Sequence, residues 1–199
     1  MCFRSLILAA ACFVLAPLPA GAAGSNPDWP CVQILVPTLS AGQIWAGDPI
    51  EGKAEDWRDI PGAEPVLKQL LNRRMEPDKE EEAIGRFAEG HQPDRNAALT
   101  ALFAGAFDAL NRERGAAIAA IRRYAHQQRE LLDGIDAAMT RLQQLPADAP
   151  EAAALKEEIA WRRRILDERR RYQSALCDQP VQLEQKAGRI ARAIAAHLD

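Results

Sequence analysis

The chain has 199 residues, with 25 basic and 28 acidic side chains and a net charge of −3. This balance disfavours a globally basic nucleic-acid-binding domain, and we expect no nucleic-acid partner. The length suits one domain with a real core, and only the N-terminus carries an apolar run that raises the question of a membrane span.

The N-terminal segment has the three-part pattern of a secretory signal peptide. Arg4 supplies a positive charge, an apolar run extends from Leu6 to Leu15, and small residues follow as far as Ala23. The run is about half the length of a membrane-spanning helix. We therefore expect residues 1–22 to be a cleaved signal peptide, which directs the chain to the periplasm or the exterior. A retained membrane anchor is the alternative.

Cleavage of the signal peptide would change the number of cysteines in the chain. Its removal takes away Cys2 and Cys12 and leaves Cys31 and Cys177 in a compartment that permits oxidation. The sequence therefore predicts one intramolecular disulfide between Cys31 and Cys177. Two free thiols, or an intermolecular bridge, are the alternatives.

Residues 23–60 are predicted to form an extended strap rather than helices. This segment is rich in proline and glycine, which together prevent long helices, and it holds three of the four tryptophans. Tryptophans in an irregular segment usually attach it to a core. We expect Trp29, Trp45 and Trp57 to be such anchors, and the lining of a ligand groove is the alternative.

Residues 61–199 are predicted to be helical. Apolar spacing and proline positions predict helices at 63–74, 78–89, 95–145 and 181–198, and a further helix that Asp148 and Glu151 start with a capping box after the turn at 146–150 and that ends at about Leu176. We expect Pro180 to separate the last two helices. The glycines within the long helix leave a bend or an interruption of that helix open, at Gly105, Gly115 and Gly134.

A single heptad phase runs through the long helix and predicts its buried side. One seam comprises Phe107, Arg114, Ile121, Gln128, Ile135 and Leu142; the other comprises Leu110, Ala117, Tyr124, Leu131, Ala138 and Leu145. The short turn that follows favours an antiparallel neighbour. We therefore predict an all-α fold: a long antiparallel helical hairpin on a small helical bundle, with the strap held by the disulfide at about the level of residue 119.

The distal part of this hairpin, residues 120–176, is the predicted arm, and it carries the candidate partner-binding residues. These are Trp161 and two arginine triplets seven residues apart: Arg162, Arg163, Arg164, Arg169, Arg170 and Arg171. They suit an acidic protein, lipid headgroups or a cell-wall polymer. The alternative is a solvated face whose arginine stems lie across a thin seam.

Catalytic and metal-binding patterns are missing from the sequence. In the predicted hairpin His126 and His197 lie far apart, and neither histidine nor cysteine pairs occur at metal-ligand spacing. We expect the acidic run Glu80–Glu82 to be a solvated face, because consecutive helix residues point in different directions. The sequence thus predicts a non-catalytic protein with no catalytic residues, metal or cofactor.

One short box resembles a known group of sequences. Asp28-Trp29-Pro30-Cys31, then Pro37-Thr38-Leu39-Ser40 and Trp45, looks like the start of a group of uncharacterised secreted bacterial proteins. The resemblance covers only the strap; it implies export and a shared fold, and it carries no known activity. The hairpin also resembles those of envelope adaptor proteins, which is an analogy of fold alone.

Three functions are compatible with these features. The first is a periplasmic adaptor or scaffold whose arm binds another envelope protein. The second is a module for an anionic envelope polymer or lipid, which salt would weaken. The third is a binder of a small molecule or hydrophobic peptide in a cleft between strap and bundle. Pairing of two arms in a homodimer competes with the first.

Overall fold

The computed structural model describes residues 28–146 and 148–199, so the predicted signal peptide at 1–22 lies outside the described residues. Within these ranges the chain is all-α and contains no strand. The helices are α1 (Ala63–Leu71), α2 (Pro77–Glu89), α3 (Arg95–Gln144) and α4 (Pro150–Ala195). Two short 3-10 turns, Ala41–Gln43 and Asp56–Asp59, interrupt the strap. Of the described helices, none combines the length and apolar character needed to cross a membrane.

Helices α3 and α4 form the predicted antiparallel hairpin. On the arm, Ile135 and Ala138 of α3 are buried against Leu155, Ile159 and Leu166 of α4. Every position of the two predicted seams is buried or half-buried, so the heptad phase is confirmed.

The register of the hairpin also agrees with the prediction. The hydroxyl of Tyr124 donates to the backbone carbonyl of Arg169, and Nη2 of Arg114 lies 3.5 Å from Oε2 of Glu184. These two contacts bracket Cys177, which therefore faces the region near residue 119 on α3.

Helix α3 is continuous through its glycines. Gly105 lies under the indole ring of Trp57, and Gly134 lies under the guanidinium group of Arg162; a Cβ atom at either position would overlap that side chain. Gly115 has nothing within 4 Å of such an atom. Two of the three glycines therefore provide space for a neighbouring side chain rather than a bend.

The predicted interruption at Pro180 is wrong. Helix α4 runs unbroken from Pro150 to Ala195, with Pro180 inside it and buried. Proline in a helix interior costs about 3 kcal/mol through a lost hydrogen bond and a clash with the preceding turn. Because α4 packs on α3 on both sides of Pro180, through two separate hydrophobic clusters, tertiary contacts outweigh that cost.

The base of the molecule is the region where α1 and α2 meet the open end of the hairpin, which is formed by the start of α3 and the end of α4. Its core contains Leu99, Phe103 and Leu110 of α3, and Ile190 and Ile194 of α4. Phe107 packs against this core at its edge. The predicted small helical bundle at one end of the hairpin is therefore confirmed.

The expectation of a solvated acidic face at Glu80–Glu82 is wrong for Glu80. Its side chain is 2% exposed and lies 3.0 Å from Nζ of Lys186, which is 5% exposed and donates to the Asn72 carbonyl. Arg189 lies 3.6 Å from the same carboxylate. Partners from α4, more than a hundred residues later, thus compensate the buried charge and hold α2 against α4.

Candidate binding surface

The strap is fixed to the hairpin by a covalent bond and by polar contacts around it. Cys31 and Cys177 form the predicted disulfide, with Cα atoms 5.6 Å apart. Beside it, the side-chain amide of Gln33 donates to the Cys177 carbonyl, and that of Gln173 donates to the Pro30 carbonyl. This attachment lies where the base ends and the arm begins.

Two of the three strap tryptophans lie against the base core. The ring of Trp45 stacks on Phe103, with centroids 4.1 Å apart and an interplanar angle of 11°. Its Nε1 donates to the Asp48 carbonyl, so the polar edge is satisfied. Trp57 packs on the same core over Gly105.

Trp29 occupies a different environment. It does not belong to the base core; its Nε1 donates to the Gln33 carbonyl, 2.7 Å away, within the strap itself. Its ring lines a cleft between the strap and α4. The three tryptophans, which the sequence groups together, therefore divide into two at the core and one at a cleft.

The six arginines of the two triplets point in three directions, because consecutive helix residues are 100° apart. Arg162 and Arg169 turn toward α3 and are half-buried. Arg162 forms an ion pair with Glu158 at 2.8 Å, and Nη1 of Arg169 donates to Oε1 of Gln127. The Arg162 guanidinium group lies over Gly134 of α3 and Arg169 bonds to Gln127 of α3, so both side chains are directed into the hairpin.

The second pair, Arg163 and Arg170, lies along one flank of α4. Nη2 of Arg163 is 3.2 Å from the sulfur of Met139, and Arg170 lies 3.9 Å from Asp167. Both side chains are exposed, and Arg163 contributes to a groove described below.

The third pair, Arg164 and Arg171, points away from α3. Among the described residues no carboxylate lies within 4.0 Å of either guanidinium group. Trp161 and Tyr172, 60% and 68% exposed, lie together on the adjoining flank of α4, opposite the flank of Arg163 and Arg170. We call the set Trp161, Arg164, Arg171 and Tyr172 the outer stripe.

A shallow groove of about 650 Å³ runs beside the outer stripe. Its apolar floor is formed by Met139, Leu142 and Ile159, where the seam is thinnest. Its basic rim is formed by Lys156, Arg163, Arg164 and Arg171, with Asp167 and Glu168 among the other lining residues. Arg164 and Arg171 thus border both the groove and the outer stripe.

The middle of the arm has the opposite charge to the chain as a whole. Residues 122–136 and 162–176, which face each other in the hairpin, contain nine arginines and five carboxylates. The full chain has a net charge of −3. The excess of positive charge is therefore local, and it surrounds the outer stripe.

The sequence reasoning did not include Tyr172 in the candidate surface. Tyr172 follows Trp161 by eleven residues, which is close to three turns of an α-helix and puts both side chains on one side. That spacing was the available signal. The exposed positions Val32 and Ile34 of the strap were also outside the candidate surface.

Tyr124, a half-buried residue of the arm seam, has a shifted pKa. Burial raises the pKa of Tyr124, and the nearby charge of Arg169 opposes this shift. Its protonated hydroxyl donates to the Arg169 carbonyl and accepts from the side-chain amide of Gln128. Tyr124 is thus a seam residue held in its neutral form. No group of three or more potential metal ligands occurs within residues 28–146 and 148–199.

Comparison with known proteins gives no family assignment. No protein-family profile matches the chain, and neither a curated protein nor a solved structure is significantly similar to it.

Proposed function

We propose that this protein is a non-catalytic periplasmic adaptor or scaffold, which binds another envelope protein through the outer stripe of its arm. The observation that carries the proposal is the exposure of Trp161 and Tyr172 on either side of two unpaired arginines. Tryptophan, tyrosine and arginine are the residue types most enriched at the energetic centres of protein interfaces.

The shape of the arm supports a binding role. Each helix of a two-helix hairpin buries one stripe of side chains, so the arm has little core of its own. Its cluster contains five buried residues, two of them from α3 and three from α4. A third surface that covered the outer stripe would bury the exposed aromatic area and stabilise the arm at the same time.

Charge specifies the partner further. The local excess of arginine favours an acidic protein surface, which would also speed the encounter at low ionic strength. Within residues 28–146 and 148–199, no carboxylate lies within 4.0 Å of the Arg164 or Arg171 guanidinium group, so none has to be exchanged for a partner carboxylate. Pairing with them therefore breaks no existing ion pair of the arm.

The disulfide supports the proposed compartment. Bonds of this kind form and persist in the periplasm and outside the cell, whereas the cytosol keeps thiols reduced. Cys31 and Cys177 are the only cysteines beyond residue 22, and both are used in the bond. This agrees with export by the predicted signal peptide.

The basic groove favours a second candidate, which is binding of an anionic envelope polymer or lipid headgroup. Lys156, Arg163, Arg164 and Arg171 border it together. Such binding depends on charge alone and should weaken steeply as salt rises, because the Debye length falls from about 10 Å at 0.1 M to about 3 Å at 1 M. Binding of a protein through aromatic burial should persist.

The proposal is tested by photocrosslinking in the envelope of the source cell. A photoreactive residue at position 172 should give a discrete protein adduct, and the same residue at position 126 should give none. His126 is exposed on α3 and serves as the position control. The adduct should disappear with Trp161→Ala and with the double variant Arg164→Glu, Arg171→Glu.

A charge-matched control separates recognition from general electrostatics. Arg122→Glu with Arg123→Glu makes the same charge change at exposed positions of α3. The adduct should survive this pair, and it should still form when irradiation is carried out in about 0.5 M salt. Equal adducts from positions 172 and 126, or equal loss in both double variants, would contradict the proposed surface. Salt-sensitive binding to anionic vesicles without a protein adduct would favour the second candidate.

A further inference from the structure

The strap presents apolar side chains to solvent beside the disulfide. Val32 and Ile34 are 104% and 89% exposed, and Val36 is 42% exposed, whereas the intervening Gln33 and Leu35 are half-buried. Residues 31–33 lie in bends, whereas residues 34–36 contain neither a bend nor a turn, so only this second part of the segment can pair with another extended chain. Full exposure of two neighbouring β-branched residues marks an interaction surface when the chain around them is firmly held.

This part of the strap is firmly held, and its main chain is largely unused. The carbonyls of Gln33 and Val36 accept bonds from Trp29 and Arg114. Within the described part of the chain, no amide group from Val32 to Val36 donates a hydrogen bond. A tethered segment with free amide groups is a template on which a second extended chain can pair.

A cleft of about 680 Å³ separates this segment from α4. Its apolar walls come from Trp29, Ile34 and Val36 of the strap, from Ile44 beyond them, and from Val181 of α4. This volume lies within the usual range of ligand sites, about 300–1,000 Å³, and the mixture of apolar walls with a few polar groups is typical of them.

The polar group at the cleft is a buried arginine with incomplete partners. Arg114 is 4% exposed; its Nη1 donates to the Val36 carbonyl at 2.7 Å, and its Nη2 is 3.5 Å from the half-exposed Glu184. Its Nε has no hydrogen-bond partner. A buried guanidinium group with one distant carboxylate is poorly compensated, so an additional anion would stabilise it.

The remaining charges of the cleft have the same sign. Arg189 and Arg192 also line it, which gives three arginines against the single carboxylate of Glu184. Arg189 is engaged with Glu80, whereas no ion pair of Arg192 occurs among the described residues. The cleft thus offers an apolar channel with a basic end, and Arg192 is its accessible cation.

We propose that this cleft binds an extended peptide segment of a partner protein, with apolar side chains at alternate positions and a carboxylate near one end. The peptide main chain pairs with the free amides of residues 34–36, and the carboxylate lies against Arg192 and Arg114. A fatty acid would use the walls and the arginines but would leave the strap amides unpaired. This cleft contains no residue of the outer stripe, so its proposed role does not depend on the proposed function.

The test is a selection of random octapeptides, displayed with free C-termini, on the full-length disulfide-bonded protein. Selected peptides should alternate apolar and polar residues and carry an acidic group. Ile34→Asp and Arg192→Glu should each weaken their binding by about tenfold or more. Both positions are exposed, so neither change should disturb the fold. Leu132→Asp and Arg141→Glu, the same changes at exposed positions of the arm, should leave binding unaltered.

Synthetic forms of the best selected peptide identify the source of the carboxylate. A C-terminal amide that weakens binding assigns the carboxylate to the chain end; a Glu→Gln or Asp→Asn exchange that weakens it assigns a side chain. Weakening in neither form would overturn the basic-end assignment. Failure to select any peptide, or selection that Ile34→Asp does not affect, would overturn the proposal. Binding of dodecanoate in the cleft without peptide binding would do the same in favour of a lipid.

Discussion

Cys31 and Cys177 join the strap to α4 at the level where the base core ends and the arm cluster begins. The bond closes a loop with a sequence separation of 146 residues. On one side of it lie the strap tryptophans Trp45 and Trp57, on the base; on the other side lies the whole arm. The disulfide therefore connects the two halves of the molecule at their boundary.

Replacement of both cysteines by serine should loosen the strap before the helices. In the chain-entropy description a loop of this length contributes about 4–5 kcal/mol to the free energy of unfolding, by restricting the unfolded chain. Urea denaturation should show a loss of this order, and hydrogen exchange should increase first in residues 28–40. Non-reducing mass spectrometry of the wild-type protein should show the Cys31–Cys177 bond and no free thiol in the exported chain. Two free thiols, or a dimer bridged through Cys31, would contradict this account of the fold.

Gly105→Ala should destabilise the protein, whereas Gly115→Ala should stabilise it. Alanine gains about 0.5–1 kcal/mol over glycine in a helix interior. At Gly115 the added methyl group meets nothing, so that gain is expected in full. At Gly105 it overlaps the indole ring of Trp57, and overpacking costs about 1–3 kcal/mol.

Urea denaturation followed by tryptophan fluorescence measures both glycine variants. A shifted emission maximum is expected for Gly105→Ala alone, because Trp57 must move away from α3. Equal stabilisation by the two substitutions would mean that Trp57 does not pack over Gly105.

Ile135→Asp should unfold the arm and leave the base folded. Ile135 is 5% exposed in the arm cluster, and the substitution puts a carboxylate between two helices with few other apolar contacts. Far-UV circular dichroism should show a partial loss of helix, with a cooperative melting transition that persists for the base. Leu132 lies on the same turn of α3 and is 38% exposed. Leu132→Asp is therefore the control and should change little. An unchanged spectrum for Ile135→Asp would mean that the seam lies elsewhere.

Tyr124 should make the stability of the arm sensitive to alkaline pH. Burial raises the pKa of Tyr124 above that of the unfolded chain, so the folded state favours the neutral phenol. The stabilisation is fully present below the unfolded pKa of about 10 and declines as the pH rises toward the higher folded value. Tyr124→Phe should lower stability at neutral pH by about 1 kcal/mol, through the lost hydrogen bond, and should reduce this alkaline decline.

The chain has a second tyrosine that serves as the matched control. Tyr172 is 68% exposed, so Tyr172→Phe should leave both the neutral stability and its pH dependence as they are in the wild type. Thermal melting at pH 8 and pH 10.5 compares the three proteins. A decline that is the same in wild type and Tyr124→Phe would show that Tyr124 is already solvated.

The sequence predicted the features that depend on local spacing. The seams of α3 repeat every seven residues, so their burial could be inferred without knowledge of α4. The antiparallel pairing followed from the short turn, and the disulfide followed from the two cysteines left after residue 22. Each of these inferences uses information that lies within a short segment or in a count.

The errors concern contacts between distant segments. Glu80 looks solvated within its own run of acids, and only the position of Lys186 on α4 explains its burial. Pro180 breaks a helix by local rules, but packing on both sides keeps α4 intact. The arginine triplets are the opposite case: Arg162 and Arg169 share the four-and-three spacing of Leu155, Ile159 and Leu166, and that spacing predicts that they turn inward. Sequence spacing could not resolve Glu80 and Pro180.

The central claim is that the arm binds a different protein rather than a second copy of this chain. Deletion of residues 130–168, closed by a short turn between 129 and 169, which face each other in the hairpin, removes no residue of the base core. Size-exclusion chromatography with light scattering on the full-length and shortened proteins tests the claim most directly. The account predicts that both are monomers and that only the full-length protein forms the crosslinked adduct. A stable full-length dimer with a monomeric deletion variant would show that the arm is a dimerisation element, and would contradict the proposal.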